Sequence, residues 1–178
     1  MSTYSARVGW FEDKAYDNGT PVAYVASIQE YGVSFEHPGG TKYIIRDGVP
    51  LFVNNSFAGP VAGVTKAHTI KIPSRPFMRP TIAEQRDYWM KNGASLATKA
   101  ATGKIGIRTV FDQIGLVAAG DVRKTISKVN SPPLKAATIR ERMNTYADRK
   151  TKGNLHKPLV ATSLMFTSLT NQTTLKGS

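Results

Sequence analysis

The sequence contains no cysteine, which excludes a disulfide framework, a thiolate nucleophile and a cysteine-bound metal among its 178 residues. It has no apolar run long enough to span a bilayer, and its first ten residues, MSTYSARVGW, lack the apolar core of a signal peptide. These absences predict a soluble chain that is made in a reducing cytoplasm and has no membrane partner. A chain of this length is expected to form a single domain, residues 1–178.

Motifs for catalysis and for cofactor binding are also missing. The three histidines, His37, His68 and His156, share no metal-ligand spacing. The sequence has no glycine-rich motif of a phosphate loop, a dinucleotide-binding turn or a nucleophile elbow. We therefore expect no enzyme, no catalytic residue, no metal site and no cofactor.

Acidic side chains are scarce, with 12 against 24 Lys and Arg, and they are unevenly placed. Residues 1–60 carry four basic and six acidic side chains, whereas the remaining residues carry 20 basic and six acidic ones. This pattern favours either nucleic-acid binding or a head-to-tail contact between the acidic end of one copy and the basic part of another.

One basic stretch is the candidate for contact with DNA or another phosphate. Its cations are Arg140, Arg142, Arg149, Lys150 and Lys152. The stretch lacks the regular interleaving of aromatic residues that base stacking requires, so a solvated surface is the alternative. A basic, sequence-independent nucleic-acid-binding module is therefore the second functional hypothesis.

Proline concentrates in one segment, residues 71–84, with the sequence KIPSRPFMRPTIAE. Because Pro73, Pro76 and Pro80 each disfavour helical geometry in the preceding residue, we expect an extended strap. Thr81 and Glu84 have the spacing of a capping box, which predicts that a helix starts after the strap, at about residue 82.

Three side chains of the strap are candidate contact residues. Phe77 is expected to be a buried apolar anchor, because an extended proline-rich segment cannot be held by strand hydrogen bonds. Arg75 and Arg79 lie four residues apart, hence on one side of an extended chain. We expect them to face carboxylates of a partner; the alternative is that both are solvated cations.

The remaining pattern predicts an α+β fold with three longer helices, one short helix and a small antiparallel sheet. Helical signals cover residues 21–31, 82–100 and 105–128, and a further stretch begins at a second capping box, Thr138 to Glu141. In the first helix, apolar residues recur every three positions and predict a buried stripe, with Glu30 on the exposed side. The members of this stripe are Val22, Val25, Ile28 and Tyr31.

Residues 33–70 form an insert with little helical signal. Its Asp47-Gly48 turn predicts a hairpin that projects from the domain and contacts a neighbouring subunit or a different partner protein through Lys42, Tyr43 and Arg46. A loop at 54–65 and a strand at 68–72 are expected to follow, and residues 175–178 are expected to be a flexible tail.

The helix at 105–128 is thin in its middle because it contains Gly115 and Gly120. A neighbouring backbone could approach closely there, either inside one subunit or at a subunit interface.

Three sequence motifs occur in a recognisable order. They are A-x-I-Q-E-Y-G at 26–32, I-P-S-R-P-F-M-R at 72–79, and the pairing of A-T-I-R at 137–140 with K-P-L at 157–159. This series, which spans nearly the whole chain, resembles the tail-completion or neck proteins of tailed bacteriophages (the phage virion-morphogenesis proteins). In that family an acid and Thr-Gly follow K-P-L, whereas this chain has Val-Ala-Thr-Ser at 160–163.

The resemblance implies a structural virion protein at the tail end or the head–tail joint. Such proteins form rings around the DNA channel, and the resemblance implies a hexamer. The implied partners are other copies of the chain, the tail terminator, the tail tube and head-closure proteins, with genomic DNA nearby. The implied location is the virion, after assembly in the cytoplasm of the bacterial host.

Overall fold

The computed structural model of the protein describes residues 3–11, 14–46, 48–145, 156–159 and 163–176. Helices and small antiparallel sheets confirm the predicted α+β class. The contacts divide the chain into two compact units: unit 1 comprises Met1–Tyr31 and Pro73–Ser178, and unit 2 comprises Gly32–Ile72. Unit 2 covers nearly the same residues as the insert expected from the sequence. None of the described helices is both long and apolar enough to cross a membrane.

The elements follow one another in this order: β1 (Thr3–Gly9), α1 (Val22–Tyr31), β2 (Val33–His37), β3 (Lys42–Arg46), β4 (Val49–Phe52), β5 (Gly63–Val64), β6 (His68–Ile72), α2 (Met78–Ala101), α3 (Ile107–Lys128), α4 (Ala136–Thr145), α5 (Leu164–Thr167) and β7 (Thr170–Lys176). These strands form three small antiparallel sheets, whereas the sequence predicted one.

In unit 1 the first and last strands pair with each other. β1 and β7 are antiparallel over their full length, from Thr3 opposite Lys176 to Gly9 opposite Thr170, and α3 packs against both. The flexible tail predicted from residue 175 is therefore wrong for Leu175 and Lys176, which belong to β7; residues 177 and 178 lie outside the described residues.

The core of unit 1 joins segments that are far apart in the sequence. Phe77 is fully buried, as predicted, and Trp10 packs edge-to-face on it with 5.7 Å between ring centroids. The indole Nε1 of Trp10 donates to the carbonyl of Met165 at 2.8 Å. The other buried members of this core are Val22, Ala26, Val122, Ile126, Leu159, Met165 and Leu169.

α1 buries a different stripe from the one predicted. Val22, Ala26 and Glu30 are buried, at the i, i+4, i+8 spacing of one helix face, whereas Tyr31 is 67% exposed. The sequence prediction assigned the more apolar residues of α1 to the buried face and therefore placed Glu30 on the exposed side. The structure buries this carboxylate because it has a specific partner, the start of α2. The helix does end before Gly32, as predicted, and this glycine has a φ of +72°.

Neither predicted capping box starts a helix. α2 begins at Met78, so Thr81 lies inside it, and its hydroxyl donates to the carbonyl of Phe77 at 2.6 Å. α4 begins at Ala136, two residues before Thr138. The strap is thus shorter than predicted, and Arg79 is helical although Pro80 follows it. Proline is tolerated in a first helical turn because the N–H that it lacks would have no intrahelical acceptor there.

Unit 2 consists of two small β-structures. β2 and β6 form a two-stranded ribbon, from Val33 opposite Ile72 to His37 opposite His68. β3 lies between β4 and β5 in a three-stranded sheet, so the predicted hairpin is present, although Asp47 of its turn lies outside the described residues. Part of the predicted loop 54–65 is a strand, β5. No side chain whose burial is described for unit 2 is buried.

Candidate functional site

The most connected polar group of unit 1 is the carboxylate of Glu30 at the end of α1. It accepts three backbone N–H bonds at the start of α2, from Phe77 at 2.7 Å, Met78 at 2.9 Å and Arg79 at 3.1 Å. No side chain of α2 itself performs this capping. Because the first N–H groups of a helix lack intrahelical acceptors, a carboxylate from another helix satisfies them and complements the helix dipole.

Arg79 closes the same network from the other side. Its Nε donates to the Glu30 carboxylate at 2.9 Å, and its Nη2 donates to the Glu30 backbone carbonyl at 2.8 Å. Its guanidinium also lies 4.9 Å from the centroid of the Tyr31 ring. Arg79 therefore has an internal ion pair, which the sequence did not predict, and 57% of its side chain stays exposed.

These contacts set the charge state of Glu30. Burial tends to raise the pKa of this carboxyl, since the charged form loses water. The N–H groups of Phe77, Met78 and Arg79 and the Arg79 guanidinium stabilise the charged form more strongly. The pKa of Glu30 is therefore held below its ordinary value of 4.5. At neutral pH the cap is a full negative charge.

Arg75 is buried, with 5% of its surface exposed. Its Nε donates to the carbonyl of Pro132 at 2.8 Å, and its Nη2 donates to that of Pro133 at 3.2 Å. Its backbone N–H donates to the carbonyl of Gln29 at 2.6 Å. Burial lowers the pKa of Arg75, yet a guanidinium remains charged at any physiological pH. The arginine thus ties α1, the strap and the Pro-Pro segment together.

The strap is consequently a structural part of unit 1. Phe77 and Arg75, both expected at a partner interface, are buried in internal contacts and present no surface to a partner. The sequence singled out the correct segment because its prolines and arginines are unusual. It could not reveal that the carboxylate facing the arginine side is Glu30 of the same chain.

The K-P-L part of the third motif also makes internal contacts. Arg142 of α4 donates to the carbonyl of Lys157 at 2.7 Å, and the Lys157 Nζ lies 3.4 Å from the carbonyl of Ser127 near the end of α3. Pro158 and Leu159 are buried. K-P-L therefore connects α4 to the end of α3.

Two of the five candidate DNA-contacting residues, Arg140 and Arg142, are among the described residues. Arg140 is exposed on α4, and Arg142 is half-buried and has the structural bond to Lys157. Arg149, Lys150 and Lys152 lie outside the described residues. The acidic and the basic parts of the sequence do not form separate units, since residues 1–31 belong to the same unit as most of the basic residues. Unit 2 has four basic and two acidic residues, so both units are net positive.

The predicted hairpin carries an exposed apolar face. Tyr43 pairs with Phe52 and Ile45 pairs with Pro50, so these four side chains project from the same side of the sheet. We call them the apolar sheet face. Ile45 is 52% exposed and Phe52 is 58% exposed, whereas the Tyr43 ring covers Gly63 of β5. The other two predicted contact residues, Lys42 and Arg46, alternate with these positions and lie on the opposite side.

α2 and α3 leave a second surface uncovered. In the 24 residues of α2 only Thr81 and Leu96 are buried, and large apolar side chains at Ile82, Tyr88 and Met90 are exposed. Beside Tyr88 a groove of about 450 Å³ runs between the two helices and is lined by Gln85, Tyr88, Val117, Gly120, Asp121 and Lys124.

The two glycines of α3 differ in their surroundings. A Cβ at Gly115 would lie 3.0 Å from two atoms of the Asn171 side chain, so this glycine serves internal packing against β7. A Cβ at Gly120 would meet no atom within 4 Å, and this position borders the open groove. Of the two predicted interface glycines, only Gly120 offers surface to a partner.

No three side chains of His, Asp or Glu approach closely enough to hold a metal ion within the described ranges. Comparisons with protein-family models, with curated proteins and with solved structures give no match to this chain. The contacts above are therefore the observations on which a function can be based.

Proposed function

We propose that this protein is a structural component of a tailed-bacteriophage virion, a tail-completion or neck protein that associates with copies of itself in a ring around the DNA channel. The observation that carries the proposal is the meeting of the motifs that resemble this family. Gln29, Glu30 and Tyr31 of the first motif contact Arg75, Phe77 and Arg79 of the second. The residues that carry the resemblance are therefore the same residues that join α1 to the strap and to the start of α2.

Two uncovered surfaces support an assembly role over a catalytic one. Monomeric proteins rarely leave large contiguous apolar patches in water. Unit 2 has the apolar sheet face and no buried side chain among those whose burial is described, and α2 exposes Ile82, Tyr88 and Met90. A small β-structure without a buried core gains little stability from its own contacts. Burial against neighbouring subunits or neck proteins would provide what the isolated chain lacks.

The test of the assembly role uses the phage that carries this gene. An amber mutation should yield DNA-filled heads and separate tails, counted by negative-stain electron microscopy, and supplying the wild-type protein in trans should restore joined particles. Mass spectrometry of purified wild-type virions should detect the protein. Complete, infectious particles made without it would refute the proposal.

A nucleic-acid-binding module, in contrast, would bind duplex DNA with an affinity that falls steeply as salt concentration rises. Fluorescence anisotropy with a labelled duplex at 50 and 200 mM salt measures this directly. We expect no binding by the purified protein at 200 mM salt. Tight, strongly salt-dependent binding together with a normal virion yield from the amber mutant would favour the module instead.

A further inference from the structure

Unit 2 contains a pair of histidines at the end of its two-stranded ribbon. His37 ends β2, His68 begins β6, and the two are directly opposite in the strand register. Their ring centroids are 5.2 Å apart and the ring planes are tilted by 32°. Two imidazoles at this distance can both be neutral without penalty, but two imidazolium ions would repel each other.

Each histidine binds the backbone two residues away, and the two bonds differ in direction. The N–H of Gly39 donates to Nδ1 of His37 at 3.0 Å, so Nδ1 of His37 must be unprotonated. Nδ1 of His68 lies 2.8 Å from the carbonyl of Lys66, which can only accept, so Nδ1 of His68 must carry a proton. His68 can therefore gain a proton at Nε2 with its bond intact. His37 cannot gain one at Nδ1 without releasing the Gly39 amide.

The Gly39 turn lies where the ribbon continues into the three-stranded sheet. Gly39 has a φ of +83°, and a Cβ there would lie 2.5 Å from the carbonyl oxygen of Thr65, so two backbone segments touch at this point. Gly40 donates its N–H to that same carbonyl at 2.9 Å, and the N–H of Thr41 donates to the Thr65 hydroxyl at 3.1 Å. The His37 bond fixes the turn that brings these donors to Thr65.

Charged groups near the pair are few within unit 2. Lys66 precedes His68 by two residues and adds a positive charge on the same connection. Glu36 and Lys71 belong to the ribbon but alternate with the histidine positions and lie on its other side, where Glu36 accepts a bond from Thr69 at 2.6 Å. No described carboxylate of the ribbon shares a side with the pair to offset a second positive charge.

We propose that His37 and His68 form a pH-sensitive latch. At neutral pH the unprotonated Nδ1 of His37 holds the Gly39 turn against Thr65. On acidification, a proton on Nδ1 of His37 turns this acceptor into a donor that faces the Gly39 N–H. The turn then loses this bond, and the bonds of Gly40 and Thr41 to Thr65 become weaker. The latch is independent of the proposed virion role.

Two-dimensional ¹H–¹⁵N NMR of the full chain from pH 8 to 5 tests the latch. The imidazole ¹⁵N shifts should show an unprotonated Nδ1 in His37 and a protonated Nδ1 in His68 at pH 8. The Gly39 amide should move toward its unbonded position as His37 titrates. Hydrogen exchange of the Gly40 amide, corrected for the intrinsic effect of pH, should accelerate about tenfold relative to Ile70, as expected for one lost hydrogen bond.

Three variants separate the latch from a general effect of acid. The side-chain oxygen of asparagine occupies nearly the position of Nδ1, so His37→Asn should keep the Gly39 bond at every pH. His37→Ala should leave the turn open at every pH. His156→Asn, outside unit 2, should behave like the wild-type chain. A Gly39 amide that does not respond while His37 titrates, or a protonated Nδ1 of His37 at pH 8, would overturn the proposal.

Discussion

Glu30 should be the most consequential single acidic residue for the stability of unit 1. In Glu30→Ala the N–H groups of Phe77, Met78 and Arg79 lose their acceptor, and Arg79 loses its ion-pair partner. Loss of a helix cap costs about 2 kcal/mol at the upper end of its range. The N–H of the fully buried Phe77 is one of the capped groups, and a buried donor without a partner costs about 1–3 kcal/mol, so the loss lies at or above that upper end. The Arg79 side chain is 57% exposed, so its ion pair contributes little more.

We therefore expect Glu30→Ala to lower the free energy of unfolding by about 2–3 kcal/mol, a large share of the 5–15 kcal/mol typical of a domain. Urea denaturation at pH 7, followed by circular dichroism, measures the change. Glu84→Ala is the matched control, since Glu84 is the exposed residue to which the sequence pattern assigned the cap. The substitution Glu84→Ala should leave the free energy of unfolding unchanged. An equal or larger loss for Glu84→Ala would refute our account of how α2 starts.

The pKa of Glu30 adds a pH dependence whose sign is fixed. Because its folded-state pKa is lower than the ordinary value of 4.5, its stabilising contribution is complete above that value. The contribution disappears as the pH falls from about 4.5 through the lower folded-state pKa. Glu30→Gln should therefore be less stable than the wild-type chain at pH 7, and the difference should shrink on acidification. A difference that is constant from pH 7 to 3 would contradict this.

Three further changes test the packing of unit 1. Phe77→Ala should cost about 3–5 kcal/mol in urea denaturation because the ring is fully buried, whereas Phe52→Ala on the exposed sheet face should leave that transition unchanged. Gly120→Ala should raise the stability by about 1 kcal/mol, since alanine favours a helix and meets no atom there, but Gly115→Ala should not, because of Asn171. Arg75→Ala should lower the melting temperature, since it leaves two proline carbonyls without a donor; an unchanged value would mean that this arginine is dispensable.

Several parts of the fold follow from local sequence alone. The long α3 helix and the hairpin lie near their predicted bounds, and the proline-rich segment stays non-helical as far as Phe77, although α2 begins earlier than predicted. Their signals are local: prolines constrain the residues beside them, and apolar side chains at helical spacing identify a buried face. Ala118, Val122 and Ile126 of α3 are buried as that spacing predicts.

The two predicted helix starts are incorrect. The pattern T-x-x-E predicts caps at Thr81 and at Thr138, yet both threonines lie inside helices. Glu30, which is about 50 residues earlier in the sequence, determines where α2 starts. A local sequence motif cannot reveal a contact between residues so far apart. The same contact explains why Glu30 is buried although its neighbours are more apolar.

The sequence by itself determined that the chain is an α+β protein rich in cations, that a stiff segment precedes a long helix, and that Phe77 is an anchor. These properties depend on residue type and on spacing along the chain. Only the tertiary structure decided that Arg75 and Arg79 bind their own chain, that Gly115 contacts Asn171, and that no side chain whose burial is described for unit 2 is buried. A charge or a small residue has no preferred partner until the fold brings one within a few ångströms, and so its role is a property of the folded chain.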